Sequence, residues 1–399
     1  MTTTTAERYR AYRGLPLFSM GFRPFFLLAA LWAAFAVPIW IGANAGWLPA
    51  QHFTRDWHAH EMLFGYLSGV IAGFLLTAVP NWTGRLPVTG GPLVALVLLW
   101  CAGRAAMLIP SFAAAPFIDS AFIFVFAMVV GREIIAGRNA KNLPVLILLT
   151  VLGSANVLSH LHTFEPELAL LGERIGIAVV AMLVSLIGGR IVPSFTRNWM
   201  AKQKLKPEPA PAGWFDAVVL ATSALALGLW AAAPHFFATG FALALAGALH
   251  WVRLARWRGW RTSAEPLVLI LHLGYAWLAF GLTLMGLAII SVGVVPAASG
   301  LHALTAGAFG VMTLAVMTRA SLGHVGQPLT ATPRISAIYV LVNLGALVRV
   351  ISPLAPEMYT PLLIVSALLW GGAFALFVIV YAPLLLRARV EASLHGAKA

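Results

Sequence analysis

The sequence predicts an all-α, polytopic membrane bundle of about twelve transmembrane helices. Hydrophobic residues make up 60% of the 399 and charged residues only 10%, with a mean hydropathy of +0.88, far from the balance of an ordinary water-soluble domain. Apolar runs of about 20 residues, the length that spans a hydrocarbon layer about 30 Å thick, recur along the whole chain. Short polar connections separate them.

Taken in order, the predicted helices lie near 24–42, 58–79, 91–109, 116–136, 143–161, 171–192, 213–231, 236–255, 266–291, 300–319, 335–352 and 360–386. The first follows a polar, basic segment and has no small-residue cleavage site behind it, so it is expected to stay as a membrane helix. The longest connection, 193–212, holds Lys202, Lys204, Lys206, Pro207, Pro209 and Pro211 and reads as a solvated basic loop with a stiff exit. All but four of the 26 Lys and Arg fall on one side of this arrangement, the exceptions being Arg55, Arg104, Arg174 and Arg349. An excess of cations marks the cytoplasmic side, so both termini are expected there. The chain then divides into an N-terminal segment (1–23), a single bundle (24–386) and a cytoplasmic tail (387–399).

A net charge of +13 is thus a topology signal, and no basic patch interleaved with exposed aromatics points to nucleic acid. The single cysteine, Cys101, rules out an internal disulfide, a thiolate-held iron–sulfur cluster and c-type haem attachment. Any metal must be held mainly by histidine.

Five of the eleven histidines are expected at one level, the outer ends of the helices. His58 and His60 open helix 2 in Trp57-His58-Ala59-His60-Glu61, His160 and His162 close helix 5, and His302 opens helix 10. Polar groups are costly at a bilayer boundary, so a metal or haem site is one reading and an interfacial polar cap the other. Residues two apart on a helix point about 200° from each other, so His58 and His60 are expected to serve different partners, as are His160 and His162. Small residues after His302 (Ala303, Thr305, Ala306, Gly307, Ala308, Gly310) offer either a slot for a flat macrocycle or close helix packing. Arg55 and Arg174 are outer cations suited to haem propionates or to snorkelling. Histidines not used by haem suit copper. His272 and Tyr275, one turn apart in helix 9, form a second buried polar pair, and Glu61, Asp119 and Glu133 are rare acids of the kind that mark proton routes.

A short repeat closes helices 2, 6 and 10. These end in Thr77-Ala78-Val79-Pro80-Asn81-Trp82, Arg190-Ile191-Val192-Pro193-Ser194-Phe195 and Ala315-Val316-Met317-Thr318-Arg319, which suggests three four-helix units about a pseudo-threefold axis.

These motifs, together with Gly21-Phe22-Arg23-Pro24-Phe25-Phe26, the His58–Glu61 helix start, and the run from His302-Ala303-Leu304 through Arg319-Ala320-Ser321-Leu322-Gly323-His324, resemble the NnrS family of bacterial haem- and copper-containing membrane proteins associated with the nitric oxide response. The resemblance covers roughly 14–326. It implies haem b, copper, a bacterial inner-membrane location and a role in nitric oxide metabolism. A weaker analogy, on helix count, is to the catalytic subunit of haem–copper oxidases and nitric oxide reductases, whose haem ligands sit on helices 2 and 10; helix 6 departs from it by having no histidine. On this footing the expectation is a membrane haem protein that binds and detoxifies nitric oxide, reducing it to nitrous oxide with electrons from quinol or another donor. His302 and His60 are assigned to the haem, with Arg55, Arg174 and His272 as further cofactor-binding candidates. His58, His160 and His162 go to a second metal or pocket, and Glu61 and His58 are the catalytic candidates, Glu61 for proton transfer. Competing readings are a haem- or copper-binding sensor or metal-handling protein without turnover, and a secondary transporter, whose site would lie at the midplane.

Overall fold

The computed structural model describes residues 12–49 and 51–388. Most of the expected N-terminal segment and tail lie outside them. Among the described residues the chain folds as twelve main helices and no strand. They are α1 (Phe22–Asn44), α2 (Arg55–Thr83), α3 (Gly91–Ala106), α4 (Ala115–Ala136), α5 (Leu143–Ser159) and α6 (Pro166–Lys202), followed by α7 (Trp214–Ala232), α8 (Phe237–Arg256), α9 (Pro266–Ile290), α10 (Ala297–Val325), α11 (Pro333–Ile351) and α12 (Tyr359–Leu386). Ten helical segments are long and apolar enough to cross a membrane, and α3 is a shorter apolar helix. The protein is therefore a multi-pass helical membrane protein.

Local chemistry sets many of the boundaries. Proline occupies the first turn of α3, α4, α5, α6, α9 and α11, where its missing N–H costs no intrahelical bond. Gly84 and Gly326 end α2 and α10 in the left-handed conformation, at φ 70° and 81°. Thr54 caps α2 by accepting the Trp57 N–H, so this helix begins at Arg55 rather than near residue 58. The largest departure from expectation is α6, which runs ten residues past its predicted end. Pro193 is absorbed inside it, and the loop is shortened to 203–213. Neighbouring helices make such a proline tolerable, and no glycine follows it to turn the chain.

Helices in lipid gain little from the hydrophobic effect between themselves, so close backbone approach matters more. A Cβ on Gly286 of α9 would lie 2.6 Å from the Gly240 carbonyl oxygen and the Ala244 nitrogen of α8. Gly286→Val is expected to push α8 and α9 apart and lower stability by about 1–3 kcal/mol, read as an earlier thermal transition in detergent. Of the two readings of the small residues after His302, close packing holds for Gly307 and Gly310, which lie against Trp277 and Trp370. Outward-facing Leu98, Met128, Leu225, Leu368 and Ile379 form part of the surface that meets acyl chains.

The bundle closes on itself: α12 packs against both α11 and α1. At that seam Arg23, buried in the first turn of α1, donates to the carbonyls of Leu385 (3.0 Å) and Arg387 (2.6 Å) at the end of α12. The first and last helices thus begin and end at the same face. The histidine-rich ends of α2, α5 and α10 lie at the opposite face.

Candidate metal centre and adjoining cavity

The first turns of α2 hold the key geometry. After Arg55–His60 the helix widens into a π-helical turn over Glu61–Tyr66, and α10 does the same over Ala303–Phe309, directly after His302. Such turns re-aim the side chains on either side of them and cluster at functional sites. In α2 the rings of His58 and His60 diverge into two separate environments.

His60 faces α4 and α5. Its Nε2 lies 3.1 Å from Asp119 Oδ2 and 2.9 Å from Asn156 Oδ1, and its Nδ1 lies 3.0 Å from Glu61 Oε1. His160, just past the end of α5, brings its Nε2 to 3.1 Å from the same Asp119 oxygen, and Asn156 Nδ2 donates to that oxygen at 2.8 Å. Arg104 of α3 pairs with both Glu61 and Asp119. Glu61 and Asn156 have no exposed surface, and Asp119 is 1% exposed.

Two features of this cluster call for a cation. Each His60 nitrogen faces acceptor oxygens, so a neutral ring protonated on Nδ1 would turn its Nε2 lone pair toward two oxygens. A proton or a metal ion must sit there. Two carboxylates also meet one guanidinium, leaving one negative charge uncompensated in a buried site. One ligand atom each from His60, Asp119 and His160 lies within 4.8 Å of the others, so the three can hold a metal ion. Nitrogen and oxygen donors of this kind suit copper or zinc, and Glu61 on the far ring nitrogen is the orienting partner such ligands usually have.

His58 turns the other way, into a cavity of about 260 Å³ between α1, α2, α6, α10, α11 and α12. Its ring stacks on Trp40 with centroids 4.2 Å apart, and its Nδ1 is buried without a hydrogen-bond partner. His302 lines the same cavity, and its Nδ1 lies 2.8 Å from the Ala298 carbonyl. A carbonyl can only accept, so Nδ1 carries the proton and the Nε2 lone pair is left for a ligand. Arg55 and Arg349 line the cavity too. Arg55 pairs with Glu173 at 2.6 Å, while Arg349 donates to Ser352 Oγ at 3.0 Å.

The remaining candidates fall elsewhere. His162 is exposed beyond the end of α5 and joins neither site. Arg174 donates to the Ala231 carbonyl (2.9 Å) and is not among the cavity's lining residues. His272 lies toward the opposite face, with its Nε2 2.8 Å from Thr196 Oγ1. It is not paired with Tyr275, whose hydroxyl sits 2.8 Å from both His250 Nδ1 and Arg253 Nη1. Of the small residues after His302, only Thr305 and Ala306 line the cavity. Sequence reasoning left Asn156, Arg104, Arg349 and Trp40 out of the site. The sparse cations of the outer side were the available signal, since three of those four arginines border the two sites.

Fold and site together define a multi-pass helical membrane protein with a buried histidine–carboxylate cluster that could hold a metal ion, beside a histidine-lined cavity. The NnrS protein family model matches residues 16–389, and the chain belongs to that family. No curated protein matches the sequence.

Proposed function

We propose that the protein is a haem- and copper-containing nitric oxide detoxifier of the bacterial inner membrane, with haem b in the cavity between His58 and His302 and copper on His60, Asp119 and His160. The observation that carries this reading is the cavity itself: two imidazoles with uncommitted lone pairs share an apolar space with two guanidinium groups. One of the two imidazoles would hold the haem iron and leave it a place for nitric oxide, and the two guanidiniums would meet the propionates. Family membership favours nitric oxide as the ligand.

The expected division of histidines therefore changes. His58, not His60, partners His302, and Arg349 takes the place given to Arg174. Bound haem supplies an iron that binds nitric oxide and accepts an electron. The surrounding residues do the rest: Trp40 holds the His58 ring, Ala298 sets the His302 tautomer, and the Glu61–Arg104 pair holds His60 toward Asp119. Reduction of two nitric oxide molecules to nitrous oxide and water takes two electrons and two protons, the electrons from quinol or another membrane reductant. A small apolar gas partitions into lipid and needs no water-filled entrance.

The direct test is nitric oxide loss, followed with an electrode, in proteoliposomes carrying a chemical reductant. Consumption well above protein-free vesicles, with nitrous oxide as product, is expected; binding without consumption would replace the enzyme with a sensor or carrier. A separate prediction concerns the metal. His160→Ala is expected to lower copper affinity by more than about 100-fold, read as loss of copper in elemental analysis, while leaving the haem spectrum in place. Loss of both together would mean that the two sites are not separate.

A further inference from the structure

At the face where α1 begins and α12 ends, α2, α6 and α10 come together around a second cavity of about 480 Å³. Its walls include all three of the similar segments: Asn81 and Trp82 from α2, Arg190 and Phe195 from α6, and Arg319 from α10. Neither the metal centre nor the histidine cavity shares a lining residue with it. The walls are otherwise largely apolar, with Phe26 and Phe74 among them.

Two guanidinium groups in this space make no salt bridge among the described residues, although the buried Glu265 carboxylate acts on Arg319 from further off. Arg190 donates to the neutral amide of Asn142 at 2.9 Å, and the Arg319 guanidinium lies 4.2 Å from the centre of the Phe195 ring. Among the described residues no carboxylate reaches within 4.0 Å of either guanidinium, although Arg55, Arg85, Arg104 and Arg253 each have one. Arg190 is exposed and Arg319 half-buried, at the face expected to be cytoplasmic, where cations meet acidic headgroups. The donors still open on two planar guanidiniums match the oxygens of a phosphate. The aromatic and aliphatic walls reject a small hydrated ion but accept an acyl chain.

We propose that this cavity binds an anionic amphiphile, an acidic phospholipid whose phosphate lies between Arg190 and Arg319 and whose chains run along the Phe26 and Phe74 wall. The site is independent of the haem and copper reading. It also gives the recurrence of similar endings on α2, α6 and α10 a use, since each repeat contributes one side of the site.

Native mass spectrometry of the full chain released from detergent tests this, with phosphatidylglycerol and phosphatidylcholine as probes and inorganic phosphate as a third arm. Wild-type protein should retain phosphatidylglycerol with at least about tenfold preference over phosphatidylcholine, given two cations acting on one phosphate. The preference should vanish in R190Q/R319Q and survive in R190K/R319K, each first shown to elute as a single species. Equal retention of the two lipids, or an unchanged preference in the glutamine variant, would overturn the proposal. So would inorganic phosphate protecting the protein against heating as well as phosphatidylglycerol does, because a bare anion would then suffice. If the double glutamine variant fails to fold, the wild-type lipid comparison and the single variants R190Q and R319Q decide by the same criterion.

Discussion

Replacing Arg104 with alanine is expected to unfold the outer half of the first helices more readily than any other single change at the site. Arg104 is 4% exposed and pairs with both Glu61 and Asp119, which among the described residues have no other Lys or Arg within 4.0 Å. Without the guanidinium, two carboxylates remain buried side by side. Breaking one half of a buried ion pair costs about 3–5 kcal/mol, and here two pairs are broken at once. The thermal transition of the R104A variant in detergent should fall by many degrees. Bound copper should restore part of the loss, since a divalent ion on His60, Asp119 and His160 replaces some of the missing positive charge. A metal-stripped R104A protein as stable as metal-stripped wild type would mean that the carboxylates are neutral.

Replacing His302 with glycine should have the largest effect on the cofactor and little on the fold. The ring projects into a cavity, so removing it leaves no packed neighbour unsupported except the Ala298 carbonyl, which returns to ordinary helical bonding. Haem affinity should drop by more than about 100-fold, as expected when a ligand rather than its support is lost. Adding imidazole to the H302G protein should bring back the reduced-minus-oxidised spectrum, because the free base can occupy the space the side chain vacated. A spectrum unchanged by the substitution would move the haem away from His302, and failure of imidazole to restore it would point to a collapsed cavity.

How much of this was legible beforehand follows from the kind of signal each feature leaves in a chain. The twelve helices were readable because lipid demands long apolar runs and short exits, a constraint written locally. The end of α6 was not, since Pro193 stops a helix in water yet is carried by packing inside a membrane bundle. The divergence of His58 and His60 follows from 100° per residue. The partner of each does not, because Asp119 lies 59 positions from His60 and its approach is set by how α4 packs on α2. The π-helical turns were equally hidden: no residue type announces an extra residue per turn. Arg349 and Arg104 were noted only as rare outer-side cations, and their neighbours come from tertiary packing alone.

The contact of Arg23 with the last turn of α12 bears on how the molecule is made. The acceptors that satisfy this buried guanidinium lie 362 and 364 positions further along the chain, so α1 must wait for α12 before its own entry turn is sealed. The ring of helices closes only once α12 has been inserted. Both candidate sites draw on α2, and His58 also needs His302 and Arg349 from α10 and α11. The histidine–carboxylate cluster, by contrast, is complete once α5 has been inserted, which orders the two sites in time: a cluster on α2–α5 that can form first, and a cavity that exists only once α12 has joined it.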